Sequence, residues 1–327
     1  MKLNVTDADV QQEACWALRN LSHDNSENRT RIGKMGGIEA VLSAMKRHEN
    51  HADVQEYACR GFINLSINDS ENMSRIGQVG GIEAVVSAMK RHENHAGVQE
   101  YACRALNNLS ANNPENRTRI AQAGGIEAVL SAMKRHENHA DVQEYACRGF
   151  INLSINDENE SRIGQVGGIE AVVSAMKRHE NHADVQESAC RALNNLSAND
   201  ANKSRIAQAG GIGAFVSAMK RHENHAGVQE YACRALCILS ANDANKSRIG
   251  QAGGIEAVVS AMKRHENHAG VQERACLVFY FISVNAECKR RAIDAGAIAA
   301  IEVARRNHPN NDKVQLEAAD ALDRLRS

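Results

Sequence analysis

One stretch, GGIEAVLSAMKRHENHADVQEYACRGFINLS from Gly36 to Ser66, recurs along most of this chain. Its glycine pairs begin at Gly36, Gly80, Gly124, Gly167, Gly210 and Gly253, stepping by 44, 44, 43, 43 and 43 residues. The block Gly36–Asp69 returns letter for letter as Gly124–Asp157. A fixed period in the forties with helical patterning inside it is the signature of stacked helix groups, in which each unit buries an apolar face against its neighbours. A length of 327 residues would otherwise suggest two domains; a repeat array grows along one axis and predicts a single one.

The pattern inside a unit predicts three helices. The first, ENMSRIGQV from Glu71, is stopped by Gly80-Gly81, a pair that permits positive φ and a close helix crossing. In the second, Ile82, Val85, Val86 and Met89 share one face, and Lys90 and Arg91 suit the negative end of the helix dipole. After the loop HENHA, Asn50 with Asp53 reads as an N-cap and its reciprocal acid. Asp141 and Asp184 repeat that acid, whereas Gly97, Gly227 and Gly270 replace it and predict weaker helix starts. The third helix has two faces. Val98, Ala102, Ala105, Leu106 and Leu109 belong in the core, while Tyr101, Arg104 and Asn108 form a separate polar stripe. The period shortens in the loop that follows, where an exposed connection tolerates a deletion.

Residues 7–22 match this third helix, so the chain opens in mid-repeat: 1–26 read as a leading half-repeat, 27–286 as six full repeats and 287–327 as a C-terminal capping repeat. Past Ala275, Leu277, Phe279, Tyr280 and Phe281 replace the polar stripe and its neighbours, and the charged final helix DKVQLEAADALDRLRS predicts a wettable outer face.

Lys and Arg number 39 against 40 Asp and Glu, which argues against nucleic-acid binding, and no run of 18 apolar residues offers a membrane span. MKLNVTDAD lacks the apolar core of a signal peptide and LDRLRS carries no lipidation motif, so a soluble cytoplasmic protein is expected, with a nuclear location compatible. Cys15, Cys59, Cys103, Cys147, Cys190, Cys233 and Cys276 occupy one repeat position. Stacked helices lie roughly 8–10 Å apart, whereas a disulfide needs Cα atoms within about 7 Å, so these read as reduced core thiols. Cys237 and Cys288 fall outside the ladder and are candidates for greater reactivity.

Three helices per unit, the short first helix, the Gly-Gly corner and a third helix written ACWALRNLS resemble armadillo repeats, specifically those of the importin-α and β-catenin families. The resemblance covers essentially the whole chain and implies an all-α, right-handed armadillo superhelix whose third helices line a groove for an extended peptide. It implies peptide-binding asparagines at Asn20, Asn64, Asn108, Asn152 and Asn195, a position occupied instead by Ile238, Phe281 and Arg324 towards the end. The tryptophan that cages ligand side chains in the family is present only as Trp16. It is replaced by Arg60, Arg104, Arg148, Arg191 and Arg234, then by Leu277 and Asp320, which turns the expectation from basic ligands towards acidic or phosphorylated ones.

Each of these residues also has a structural reading. The asparagines could bridge neighbouring helices. Glu56, Glu100, Glu144, Glu187 and Glu230 lie four residues before the arginines, so the ladder could be self-neutralised by pairs worth ~0.3–0.5 kcal/mol. Tyr57, Tyr101, Tyr145 and Tyr231 could stack on a ligand or on the arginines. The HENH copies pair His48 with His51 and His92 with His95, but a spacing of three in a loop is not the HExxH of a zinc helix, and a polar loop is expected. No nucleophile–base pair or phosphate loop stands out, so neither enzyme activity nor a cofactor or metal is expected. Three readings follow: a monomeric scaffold that binds an extended peptide, an engineered or excised stable array without a native ligand, and an oligomerising solenoid.

Overall fold

Ser70–Gln78, Gly81–Arg91 and Ala96–Ser110 form one repeat, and single residues account for where each helix starts and stops. The computed structural model describes residue 1 and residues 3–327, and 22 helices and no strand occur among the described residues.

The first corner is the glycine pair. Gly80 sits at φ 94°, and its counterparts from Gly36 to Gly296 all lie between 79° and 96°, a left-handed backbone that costs glycine nothing. The second glycine is needed for space. A Cβ on Gly81 would lie 2.6 Å from Ile76 Cγ2 and 2.8 Å from the Ile76 carbonyl oxygen, so the first two helices close on each other through it. Only the last repeat fills the position, with the fully buried Ala297.

The second corner departs from expectation. The residue before Ala96 is His95, in extended conformation, and its Nδ1 accepts the Val98 N–H at 3.2 Å; His139, His182, His225 and His268 cap in the same way. Asn50 and Asp53 do not make the cap, because the HENH turn advances the helix start by one residue. Asn50 Oδ1 instead accepts from Arg91 of the next repeat at 2.8 Å. The glycine-started helices have a feature of their own. A Cβ on Gly97 would lie 2.1 Å from Glu56 Oε2, so the glycine makes room for a carboxylate from the preceding repeat at the positive end of the helix.

The change of period has a local cause. In the longer loops one residue, Asp24, Asn68 or Asn112, takes positive φ before the next N-cap. The 43-residue repeats omit it, and their third helices end one residue sooner, as in Ala140–Leu153.

Contacts divide the chain into two units, Met1–Ala171 and Val172–Ser327. In the first, Ala8–Ser22, Ala52–Ser66, Ala96–Ser110 and Ala140–Leu153 pack side by side in chain order. In the second, Ala183–Leu196, Ala226–Leu239, Ala269–Ile282 and Asp312–Arg326 do the same. The assigned core residues, from Ile82 and Met89 to Val98 and Leu109, are all buried.

A second ladder runs inside that core. Gln99, 1 % exposed, donates through Nε2 to the carbonyls of Met89 and His92, satisfying the open end of the second helix. Gln55, Gln143, Gln186, Gln229 and Gln272 do likewise.

Between repeats, the KRHEN segment of one reads the EN of the one before. His92 Nε2 donates to the Glu49 carbonyl at 2.8 Å, and Arg91 reaches the Glu49 carboxylate at 3.2 Å and the Asn50 amide oxygen at 2.8 Å. Arg221 and His222 repeat this on Glu180 and Asn181 in the second unit.

All nine cysteines are buried and none is in a disulfide. Burial pushes the Cys103 thiol up to about 12, which marks an inert core residue. Cys237 and Cys288 are no exception. Burial raises both, Cys237 to about 12, and Cys288 Sγ donates to the Lys246 carbonyl at 3.4 Å, so the greater reactivity expected of them is not found. Among the described residues no helix is long and apolar enough to cross a membrane.

Candidate functional site: the third-helix stripe

Within the first unit, the stripe consists of Arg60 and Asn64, then Arg104 and Asn108, then Arg148 and Asn152, each pair one helical turn apart on adjacent third helices. All six are partly exposed.

The asparagines are not equivalent. Asn64 Nδ2 donates to the Arg19 carbonyl at 2.9 Å, and Asn152 Nδ2 donates to both the Asn107 carbonyl and its side-chain oxygen at 3.0 Å. These two bridge neighbouring helices. Asn20 is exposed and accepts from Arg19 through Oδ1. Asn108 Oδ1 accepts from Asn107 at 3.3 Å, and its amide N–H groups have no protein acceptor among the described residues.

The arginines divide in the same way. Arg60 pairs with Glu56 at 2.6 Å and Arg148 with Glu144 at 2.9 Å, as the i, i+4 reading expected. Arg104 has no carboxylate within 4 Å among the described residues. Glu100 lies instead 4.0 Å from His139 of the next repeat. In the second unit Glu187 turns to His225 at 3.7 Å and Glu230 to His268 at 3.9 Å, and Arg191 and Arg234 are likewise without a carboxylate among the described residues. The self-neutralised ladder therefore holds at two positions and fails at three. The histidine of the following repeat does not by itself decide the outcome, because His95 lies equally close to Glu56, at 3.9 Å, and Arg60 keeps its pair.

The tyrosines stack on the arginines. Arg60 lies 3.9 Å from the Tyr101 ring centre and 5.0 Å from that of Tyr57; Arg104 lies 5.1 Å from Tyr145, and Arg191 lies 5.5 Å from Tyr231. Stacking holds the guanidinium planes without using their N–H groups. In the second unit Asn195 accepts from Asn194 at 3.1 Å. Beyond it, Arg324 stacks 3.9 Å from Tyr280 and donates to its hydroxyl at 3.0 Å, replacing the asparagine pattern with a contact internal to the chain. Trp16 is 46 % exposed on Ala8–Ser22.

Sequence reasoning missed the residues that extend the stripe at its first end. Arg19, Arg29, Arg60, Asn64, Tyr101 and Arg104 line one cavity of about 310 Å³. Arg29 belongs to the first helix of its repeat, outside the third-helix pattern, and no spacing rule connects it to Arg104.

Three helices per repeat, a left-handed glycine corner and a stripe carried on stacked third helices define an armadillo α-solenoid. A family model described as ARMC5, an armadillo-repeat model, matches residues 17–283, and one for the armadillo/beta-catenin-like repeat matches residues 3–23. The chain belongs to this ARMC5-type armadillo-repeat family. Its near-identical repeats give it a consensus-like character, and the solved structures it resembles include engineered ones. A crystal structure titled as that of an engineered protein is 25 % identical with TM-score 0.65, over 75 % of this chain and 96 % of that one. The designed armadillo repeat protein YIII(Dq)4CqI is 20 % identical with TM-score 0.64, over 75 % and 99 %. A third, YIII(Dq.V1)4CPAF in complex with the peptide (KR)4, is 19 % identical with TM-score 0.63, over the same shares. No curated protein matches the chain.

Proposed function

We propose that this protein is a non-catalytic interaction scaffold that holds an extended acidic or phosphorylated peptide along the third-helix stripe. The observation that carries this reading is Arg104: a partly exposed guanidinium, held by Tyr145, with no carboxylate partner among the described residues, one turn from an asparagine whose amide N–H groups are open.

Energetics assign the two residue types different work. A neutral hydrogen bond is worth ~0.5–1.5 kcal/mol net, while ordering one peptide residue costs ~1–2 kcal/mol. Asparagines therefore set direction and register, and with Asn64 and Asn152 engaged by neighbouring helices, Asn20 and Asn108 are those in this unit with amide N–H capacity to spare. Charge-assisted contacts, at ~1.5–3 kcal/mol, are the available source of affinity. The designed neighbour's (KR)4 peptide is basic; arginine at the caging position here opposes such a ligand and favours its charge complement.

The test is a titration of an acidic extended peptide against the wild type and an Arg104→Ala/Arg191→Ala variant at two salt concentrations. Binding should weaken at least about tenfold in the variant and fall with salt. Equal affinity for both proteins, or a preference for Lys/Arg-rich peptides, would sink the reading.

A further inference from the structure

The cavity at the first end of the stripe has the chemistry of an anion site. It takes about ten water volumes, at ~30 Å³ each, and four guanidinium groups line it: Arg19, Arg29, Arg60 and Arg104. The one carboxylate on its wall, Asp24, is 93 % exposed and faces His23 at 3.4 Å. Arg29 is the unusual member. It is only 9 % exposed, one of its nitrogens donates to the Ser22 carbonyl at 3.1 Å, and its Nε is shielded from solvent with no acceptor. Arg60 Nε is in the same condition, although its terminal nitrogen pairs with Glu56. Both Nε atoms are closed to solvent, so what the cavity offers an anion is the rest of four guanidinium groups gathered around one wall carboxylate, an excess of positive charge that calls for an oxyanion.

We propose that this cavity binds a phosphomonoester. Counting Glu56 with its partner Arg60, four positive charges less two negative leave +2, which matches a phosphate of about −1.5 to −2. Three terminal oxygens can accept from guanidiniums approaching from separate helices, where a planar carboxylate offers two. The Asn64 side chain on the same wall lies on the third-helix stripe, so the phosphate is that of a phosphorylated side chain in a peptide lying there. That source rests on the peptide-scaffold reading, whereas the anion site itself does not. The full set of four is specific to its place in the chain. The position of Arg29 is occupied by Met73 in the next repeat, and where arginine returns to it, as Arg117, the position of Arg19 has become Asn107.

Isothermal titration with N-acetyl-O-phosphoserine amide, inorganic phosphate, and an acidic peptide with and without one phosphoserine provides the test. The proteins are the wild type, Arg29→Met, Arg104→Gln, and Arg119→Gln as a charge-matched control drawn from an exposed pair with Glu115. Phosphoserine amide should bind the wild type and Arg119→Gln alike and at least about tenfold more weakly to each of the other two. Circular dichroism checks folding, which Met73 in the equivalent position favours for Arg29→Met; should that variant unfold, Arg104→Gln carries the test alone. Failure of phosphoserine amide to bind, indifference to both substitutions, or tighter binding of inorganic phosphate would overturn the assignment. If the acidic peptide binds and phosphorylation adds nothing, the cavity assignment falls while the scaffold reading stands. If phosphoserine amide binds through Arg29 but the peptide chain adds nothing, the anion site stands while the scaffold reading falls.

Discussion

Glu56 and Glu100 occupy the same place in successive repeats and meet different neighbours. Glu56 faces Gly97, whose missing side chain leaves room for its carboxylate. Glu100 faces Asp141, and its carboxylate, the His139 ring and the Asp141 carboxylate bring one ligand-type atom each within 4.8 Å of one another. Burial, and then the Asp141 charge, hold Glu100 above the ordinary carboxylate range. A raised folded-state value means that its contribution to stability is fully present below the ordinary range and is lost as pH rises through the raised value. Stability should therefore fall as pH climbs through that window, and Asp141→Gly should lower the Glu100 titration and reduce the slope. Carboxylate NMR titration of both proteins measures this; an unmoved Glu100 midpoint would contradict it. The glycine corner makes a second residue-scale test. Gly81→Ala places a methyl group 2.8 Å from the Ile76 carbonyl oxygen and should cost ~1–3 kcal/mol in denaturant unfolding, since backbone must move to admit it. A neutral result would show that the first two helices part freely.

At the scale of the element, what ends each second helix comes from the third. Gln99 donates to two carbonyls there, the buried one of Met89 and that of His92, which also accepts the His95 N–H at 2.9 Å. Gln99→Leu keeps the volume and removes both bonds, so it should cost ~1–3 kcal/mol and speed amide exchange locally in His92–His95. Equal protection in the two proteins would mean that water replaces the amide. A Val-Gln pair stands near the start of every third helix, from Val10-Gln11 to Val314-Gln315. Periodicity assigned only its valine, because a scheme that scores apolar residues has no place for a buried amide such as Gln99. The HENH loop shows the same blindness. Its histidines suggested a metal to be weighed against a polar loop, and the structure uses them as a clip and a cap, through His92 on Glu49 and His95 on Val98.

At the scale of the whole molecule, each repeat is satisfied by the one beside it. His92, Arg91 and Asn64 all find partners one repeat back, and none reaches further. Stability is then a sum of repeat and nearest-neighbour contributions, so terminal repeats should fray before the interior unfolds. Hydrogen exchange should show graded protection, lowest in the end helices and highest in helices such as Ala96–Ser110, and calorimetric and van't Hoff enthalpies should disagree. Coincident opening of ends and centre would refute this. The Arg91–Glu49 clips are about half exposed, so they contribute more to register than to stability.

The three-helix repeat, its core positions and its glycine corners were all determined by the sequence alone. The helical period and the φ of glycine are local properties, visible in any window of one repeat. The partner of each polar side chain was decided only in the tertiary structure. Asn50 looked like a cap until Arg91, 41 residues on, claimed its oxygen. Glu100 looked like the partner of Arg104, and its carboxylate lies 4.0 Å from His139 instead. Arg29 carried no signal at all, because the cavity that gives it meaning is assembled from three repeats. A hydrogen bond or ion pair goes to whichever group is nearest in space, and in stacked helices that group lies about one period away along the chain.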